Sequence, residues 1–176
     1  MWLKKLNGIT MDTKKLIELL ELKPLPFEGG YYRETYRSEE IIEAGHLPQR
    51  YETDKHISTA IYYLLTPNTV SKLHRLKSDE IFHFYLGDPV TMLLLYPDGR
   101  SETVTLGPDI ENGQRVQQVV PRGVWQGAAL CEGGRFALMG TTVAPGFDVS
   151  DFEPAERREL LKKYSDREDM IRLLIK

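Results

Sequence analysis

The sequence predicts an all-β sandwich or barrel with helical flanks, and three observations point there. Short β-rich runs recur between residues 31 and 143 at spacings of about 8–12 residues, the rhythm of antiparallel all-β folds. Turn-forming clusters separate the runs, among them Pro97-Asp98-Gly99, Asn112-Gly113 and Glu132-Gly133-Gly134. The segments between the runs lack the helical period that a parallel βαβ sheet requires of its crossovers. A chain of 176 residues suits one domain and buries enough surface to fold without disulfides.

The elements follow in order. From Asp12 to Leu22 the apolar residues Leu16, Ile17 and Leu20 share one helical face, and Asp12 or Thr13 can cap the first amides. Pro24 and Pro26 stop that helix, because proline lacks the amide a helix needs. Predicted strands run over Tyr31–Arg37, Ile57–Leu65, Val70–His74, Glu80–Leu86, Thr91–Tyr96, Glu102–Leu106, Gln114–Val120, Val124–Cys131 and Arg135–Val143. The polar stretch 38–55 exceeds the usual connection length and is expected to be a mobile loop, or a lid, with His46 and His56 as surface histidines. After Pro145-Gly146, helices are predicted over Ala155–Tyr164 and Asp166–Leu174, covering a sheet edge or flank with one apolar side. Residues 1–11 are expected to be a disordered or adventitious extension, with Met11 a candidate natural start, and residues 12–176 a single domain.

Charge and composition exclude several classes of function. Against 26 acidic residues stand 23 basic ones, so no basic surplus favours nucleic acid. No apolar run is long enough to span a bilayer, and the first residues lack the apolar core of a signal peptide. One cysteine, Cys131, cannot form an internal disulfide; it reads as a packed small hydrophobe and is compatible with a cytoplasmic location.

The densest polar cluster is Ser71-Lys72-Leu73-His74-Arg75 through Asp79-Glu80-Ile81-Phe82-His83-Phe84-Tyr85-Leu86-Gly87. Strand alternation would put Lys72 and His74 on one face, and Glu80, Phe82 and Phe84 on one face of the next strand. With both faces inward, His74 and Glu80 meet in an aromatic cavity. An imidazole beside a carboxylate in such a pocket supplies either an acid/base pair or half a metal site. His83, on the opposite face, reads as a packing or subunit-contact residue, and Trp125 as core or pocket wall. Glu28-Gly29-Gly30 is too short for a phosphate cradle; its glycines suit a turn into the first strand, with Tyr31, Tyr32, Arg33 and Glu34 able to rim the pocket.

Four stretches together resemble a known family. They are Phe27-Glu28-Gly29-Gly30-Tyr31-Tyr32-Arg33-Glu34-Thr35, Ala60-Ile61-Tyr62-Tyr63-Leu64-Leu65, His74-Arg75-Leu76 through Asp79-Glu80, and Val120-Pro121-Arg122-Gly123-Val124-Trp125-Gln126. The resemblance is to the cupin family known as domain of unknown function 985. Glu80 and Gly87 look like the tail of the first cupin motif, and Pro121 to Gln126 resembles the second. It implies a double-stranded β-helix, the cupin jelly-roll barrel, with an N-terminal helix and C-terminal helices, and a homodimer as the usual assembly. The fold is shared with deoxysugar epimerases and seed storage proteins.

The departures from the motif bear on chemistry. Lys72 stands where the first metal-binding histidine would be, Gln126 where the last would be, and five residues separate His74 from Glu80. A divalent metal would have at most His74, Glu80 and Gln126, so no cofactor is the primary expectation. As in the epimerases of this fold, His74 would be a base, with Glu80 holding its second nitrogen. Tyr85, Tyr32 and Tyr36 are conceivable acids. Lys72 and Arg75 could attract an anionic sugar, and Phe82, Tyr85, Trp125 and Gln126 complete the expected substrate-binding set. The expected function is therefore binding of a small polar molecule in the barrel, a sugar or nucleotide sugar, with epimerase- or isomerase-like proton transfer. A non-catalytic ligand-binding protein and a metal-dependent cupin enzyme are the alternatives.

Overall fold

Alternation along the strands dictates two sheets packed face to face, and the computed structural model, which describes residues 12–175, has that architecture. The expected extension, residues 1–11, lies outside the described residues. Helix α1 (Thr13–Leu19) leads into strands β1 (Lys23–Pro24), β2 (Tyr31–Arg37), β3 (Ile41–Ile42), β4 (Lys55–His56), β5 (Thr59–Leu65), β6 (Ser71–Leu76) and β7 (Asp79–Gly87). Strands β8 (Val90–Leu95), β9 (Ser101–Leu106), β10 (Gln117–Val120), β11 (Trp125–Leu130), β12 (Ala137–Ala144) and β13 (Phe152–Pro154) follow, then helices α2 (Arg157–Lys163) and α3 (Glu168–Leu174). One sheet has the order β1-β2-β5-β12-β7-β10 and the other β13-β6-β11-β8-β9, with antiparallel neighbours throughout. Strands β3 and β4 form a separate pair.

Period-two patterning assigns each side chain to a layer. On β12, Ala137 and Met139 face the sandwich interior while Leu138 faces outward under α1. On β8, Met92 and Leu94 enter the same interior, and Leu93 and Leu95 pack outward against Leu160, Tyr164, Ile171 and Leu174. The C-terminal helices thus pack on the outer face of this sheet, the flank of the expectation rather than the edge. Asp12 caps α1 through the Lys14 amide, as its position suggested. No helix among the described residues is long and apolar enough to cross a membrane.

The stretch 38–55, expected to be mobile, is tied down. Tyr51 is buried, β3 pairs with β4, and the buried Lys55 ammonium donates to Asp151 at 2.7 Å. Long-range burial of one aromatic and one ion pair holds what local polarity reads as loop. His46 is exposed, and His56 bonds the Ser38 carbonyl through Nδ1.

Two residues of one helix turn test this layering. Ile171→Ala removes a fully buried side chain and is expected to cost about 2–5 kcal/mol. Leu173→Ala, on the exposed side of α3, is expected to cost less than about 0.5 kcal/mol. Urea unfolding of both variants checks the difference; equal costs would refute the packing assignment.

Candidate functional site

The site begins with a break in alternation. Between β11 and β6, Gln126 pairs with His74 but Ala128 pairs with Ser71, so β6 carries one extra residue and bulges at Lys72-Leu73. The bulge uncouples Lys72 from His74: Leu73 packs outward, His74 points into the barrel, and Lys72 is exposed along a groove lined by Phe27, Leu73 and Phe152. The expectation that Lys72 and His74 share a face is corrected, because bulges do not show in an alternation count. The Lys72 carbonyl nevertheless serves His74, accepting from Nδ1 at 2.7 Å. A carbonyl only accepts, so Nδ1 carries the proton and Nε2 of the neutral ring is an acceptor.

One further group meets that nitrogen, and a second is reached through it. Gln126, on β11, places its Nε2 at 3.4 Å from His74 Nε2 and donates to Glu80 Oε2 at 2.5 Å. One carboxamide therefore joins a base on one sheet to a carboxylate on the other. His74 and Gln126 are each 1% exposed and Glu80 is 7% exposed. Glu80, Phe82 and Phe84 do share the inward face of β7, with Phe82 deeper in the apolar core. Burial pushes the Glu80 carboxyl up from its ordinary value to about 7, and the nearby Glu28 carboxylate pushes the same way. Proximity of His74 and hydrogen bonds from Thr141 and Gln126 act against that rise.

Glu28 escaped the sequence reading. It sits in the turn before β2, where Gly29 (φ 100°) and Gly30 (φ 71°) adopt left-handed backbone. A Cβ on Gly29 would lie 2.5 Å from the Val70 carbonyl oxygen, so only glycine lets this turn dock on the start of β6. Docking is fixed by the Lys72 amide donating to the Glu28 carbonyl (2.8 Å), Ser71 Oγ donating to Glu28 Oε1 (2.8 Å) and Tyr63 Oη donating to the Gly29 carbonyl (3.0 Å). Glu28 Oε2 then lies 3.9 Å from His74 Nε2. Burial, reinforced by Glu28, raises the Tyr63 phenol well above its usual value. The signal was the Glu-Gly-Gly triplet, whose destination on β6 is not local.

A cavity of about 70 Å³ opens beside these groups, walled by Glu28, Tyr32, Glu34, His74, Glu80 and Thr141, with Ile61 and Phe147 among its apolar surfaces. Of the three tyrosines considered as acids, Tyr32 lines it. Tyr85 and Tyr36 are exposed, Tyr85 on the outer sheet face where it stacks with His83 and meets Tyr62 edge-on. His83 bonds Thr142 and Gln117 on that outer face. Arg75 also lies outside, bidentate to Glu153 and stacked on Trp125 at 4.5 Å. The structure thus gathers His74, Glu80 and Gln126, and leaves Lys72, Arg75, Tyr85 and Trp125 outside the barrel.

This donor set does not fit a resident metal. Gln126 turns its amide nitrogen, not its oxygen, toward Glu80 Oε2 and His74 Nε2, so the candidate ligands bond each other rather than offering three lone pairs to an ion. Among the described residues, no group of three His, Cys, Asp or Glu side chains is placed to hold an ion.

Comparison with known proteins agrees with this fold. Residues 14–155 match the family described as "Cupin superfamily (DUF985)". The chain is 35% identical over 133 residues to the uncharacterized protein YML079W of Saccharomyces cerevisiae, a match covering 70% of this chain and 66% of the yeast protein. Among solved structures, protein SO0799 of Shewanella oneidensis superposes with a TM-score of 0.81 at 34% identity, over 94% of this chain and 98% of that one. A hypothetical protein from Leishmania major does so at 0.81 and 32%, over 93% and 98%. Bacillus subtilis oxalate decarboxylase, a protein with Mn(II) centres, shares the fold at a TM-score of 0.50 and 15% identity, over 88% of this chain and 37% of its own.

Two expectations follow from the site. Native Glu80 holds its proton to about pH 7 while the unfolded chain releases it near 4.5. Between those values the native state binds more protons, so the Glu80 contribution to stability falls as pH rises, by up to about 3 kcal/mol across the window. Glu80→Gln abolishes this titration, and its melting temperature relative to the parent should climb from pH 5 to pH 7 and then level; a constant offset would refute the assignment. Elemental mass spectrometry of protein purified without chelator is expected to find first-row metals far below one equivalent. A stoichiometric metal lost in His74→Ala would overturn the misfit.

Proposed function

Because this chain belongs to the DUF985 family of the cupin superfamily, whose barrel interior offers the polar site just described, we propose that it binds a small neutral polar molecule there and moves a proton on it. The carrying observation is the juxtaposition of an imidazole lone pair and a carboxyl that keeps its proton to about pH 7, joined through one amide at a cavity wall. An acceptor nitrogen and a carboxyl still protonated near pH 7 are what enolisation requires. His74 Nε2 takes the proton from the carbon next to a substrate carbonyl, the C–H electrons form the C=C bond, and Glu80 donates its proton to the carbonyl oxygen. Reversal at the neighbouring carbon gives an isomer; reversal on the other face gives an epimer.

The lining narrows the ligand. Glu28 puts a carboxylate on the cavity wall, Glu34 a second that Arg37 already pairs, and the cations that suggested an anionic sugar, Lys72 and Arg75, lie outside it. This supports a neutral hydroxylated carbonyl compound over a phosphorylated or nucleotide-linked one. The small volume seats the reacting end of such a molecule rather than a bulky whole. A second reading, ligand binding without turnover, is favoured by the Gln126 carbonyl oxygen, which is buried without a partner and would accept a hydrogen bond from a ligand hydroxyl.

One experiment separates the two. Neutral aldoses, ketoses and small hydroxyketones are incubated with the protein in D2O and followed by proton NMR. Proton transfer predicts deuterium at the carbon next to the carbonyl, slowed about 100-fold or more in His74→Gln and Glu80→Gln. Saturable binding with no exchange would select the binding reading, and exchange undiminished in His74→Gln would sink the mechanism.

A further inference from the structure

A groove of about 470 Å³ runs along the outside of β6 and β13, lined by Arg50, Arg75, Lys77, Arg122, Asp151 and Glu153 among others. It shares only Leu76 with the walls of the barrel cavity. Both lining carboxylates are already engaged: Asp151 accepts from the buried Lys55 at 2.7 Å, and Glu153 holds Arg75 bidentately at 2.8 and 2.7 Å. Three cations remain. Lys77 has Glu52 no nearer than 3.9 Å, and no carboxylate among the described residues pairs with the side chain of Arg50 or Arg122. The Arg122 backbone amide, by contrast, is held by Asp79 at 2.8 Å. The groove thus carries four cations against two carboxylates on a chain whose net charge is −3.

The groove is also preorganised. Arg50 lies on the Tyr51 ring at 4.7 Å and donates Nε to the Lys77 carbonyl at 3.0 Å, which fixes the plane of the guanidinium and leaves both terminal nitrogens for a ligand. Tyr51 is itself buried and bonded to Ser78 at 2.9 Å, so the platform is part of the core. A fixed guanidinium fork beside an ammonium and a second guanidinium matches tetrahedral oxyanions, which accept bidentate hydrogen bonds and carry the charge that offsets three cations. The volume exceeds that of a lone phosphate and lies in the range of small-molecule sites.

We propose that this groove is a second site, separate from the barrel cavity, that binds the phosphate groups of a small phosphorylated molecule. It does not depend on the proton-transfer reading, because no residue of the His74–Gln126–Glu80 network lines it. The test is calorimetric titration of the intact protein with inorganic pyrophosphate at low and high ionic strength. Saturable binding that weakens with salt is expected, with affinity reduced about tenfold or more in each of Arg50→Ala, Lys77→Ala and Arg122→Ala. Glu80→Gln should bind as the parent does. Thermal melts of the three surface variants confirm that they fold, so a loss reads the site. Absence of pyrophosphate binding, or affinity untouched by all three substitutions, overturns the proposal. So does equal loss in Glu80→Gln, which would locate the anion in the barrel, or tighter binding of an RNA oligonucleotide, which would make the groove a nucleic-acid surface.

Discussion

The Gln126 carboxamide ties the two sheets together where the barrel interior turns polar. On one side it meets an imidazole from the five-stranded sheet, and on the other a carboxyl from the six-stranded sheet. Each of these groups would be costly to bury alone, and together they satisfy most of one another's hydrogen-bonding needs. The Gln126 carbonyl oxygen is the exception, buried with no protein partner among the described residues. Any hydroxyl that reached it would complete the network. The apolar layers around it, from Phe82 to Leu94, keep the dielectric low enough for these few polar contacts to control protonation.

Much of the barrel was legible in the sequence because strand alternation is a local property. Tyr31–Arg37 carries the same boundaries in prediction and structure, and most other strands differ by a residue or two. Helix α1 ends earlier than expected, since Glu21 already adopts a left-handed backbone before the prolines are reached. Strand β13 was invisible: three residues ending in proline carry no period, and pairing with β6 makes them a strand. The bulge at Lys72-Leu73 was equally hidden, as was the burial of Lys55, which follows from Asp151 almost a hundred positions away.

Of the site, His74, Glu80 and Gln126 were found by residue type and motif position. Glu28 was not, because glycines that look like a turn act here as a close-approach device. Lys72 was misplaced because the bulge was missed, whereas Arg75 points outward by plain alternation from His74. Their true positions divide the molecule's charge, with carboxylates lining the interior cavity and guanidinium groups on the outside. A single anionic ligand spanning both regions is disfavoured by that division.

Phe152 stacks on the His74 ring at 4.9 Å, and it belongs to β13, a three-residue strand at the edge of its sheet. Edge segments of this length open far more often than the strands they cover. Each opening lifts the aromatic shield and lets water reach the imidazole face, without disturbing the Nδ1 hydrogen bond that sets its tautomer. Access of water to that ring thereby depends on local breathing of a peripheral strand rather than on unfolding of the barrel. Amide exchange at Phe152 and Glu153 reads how often that shield opens.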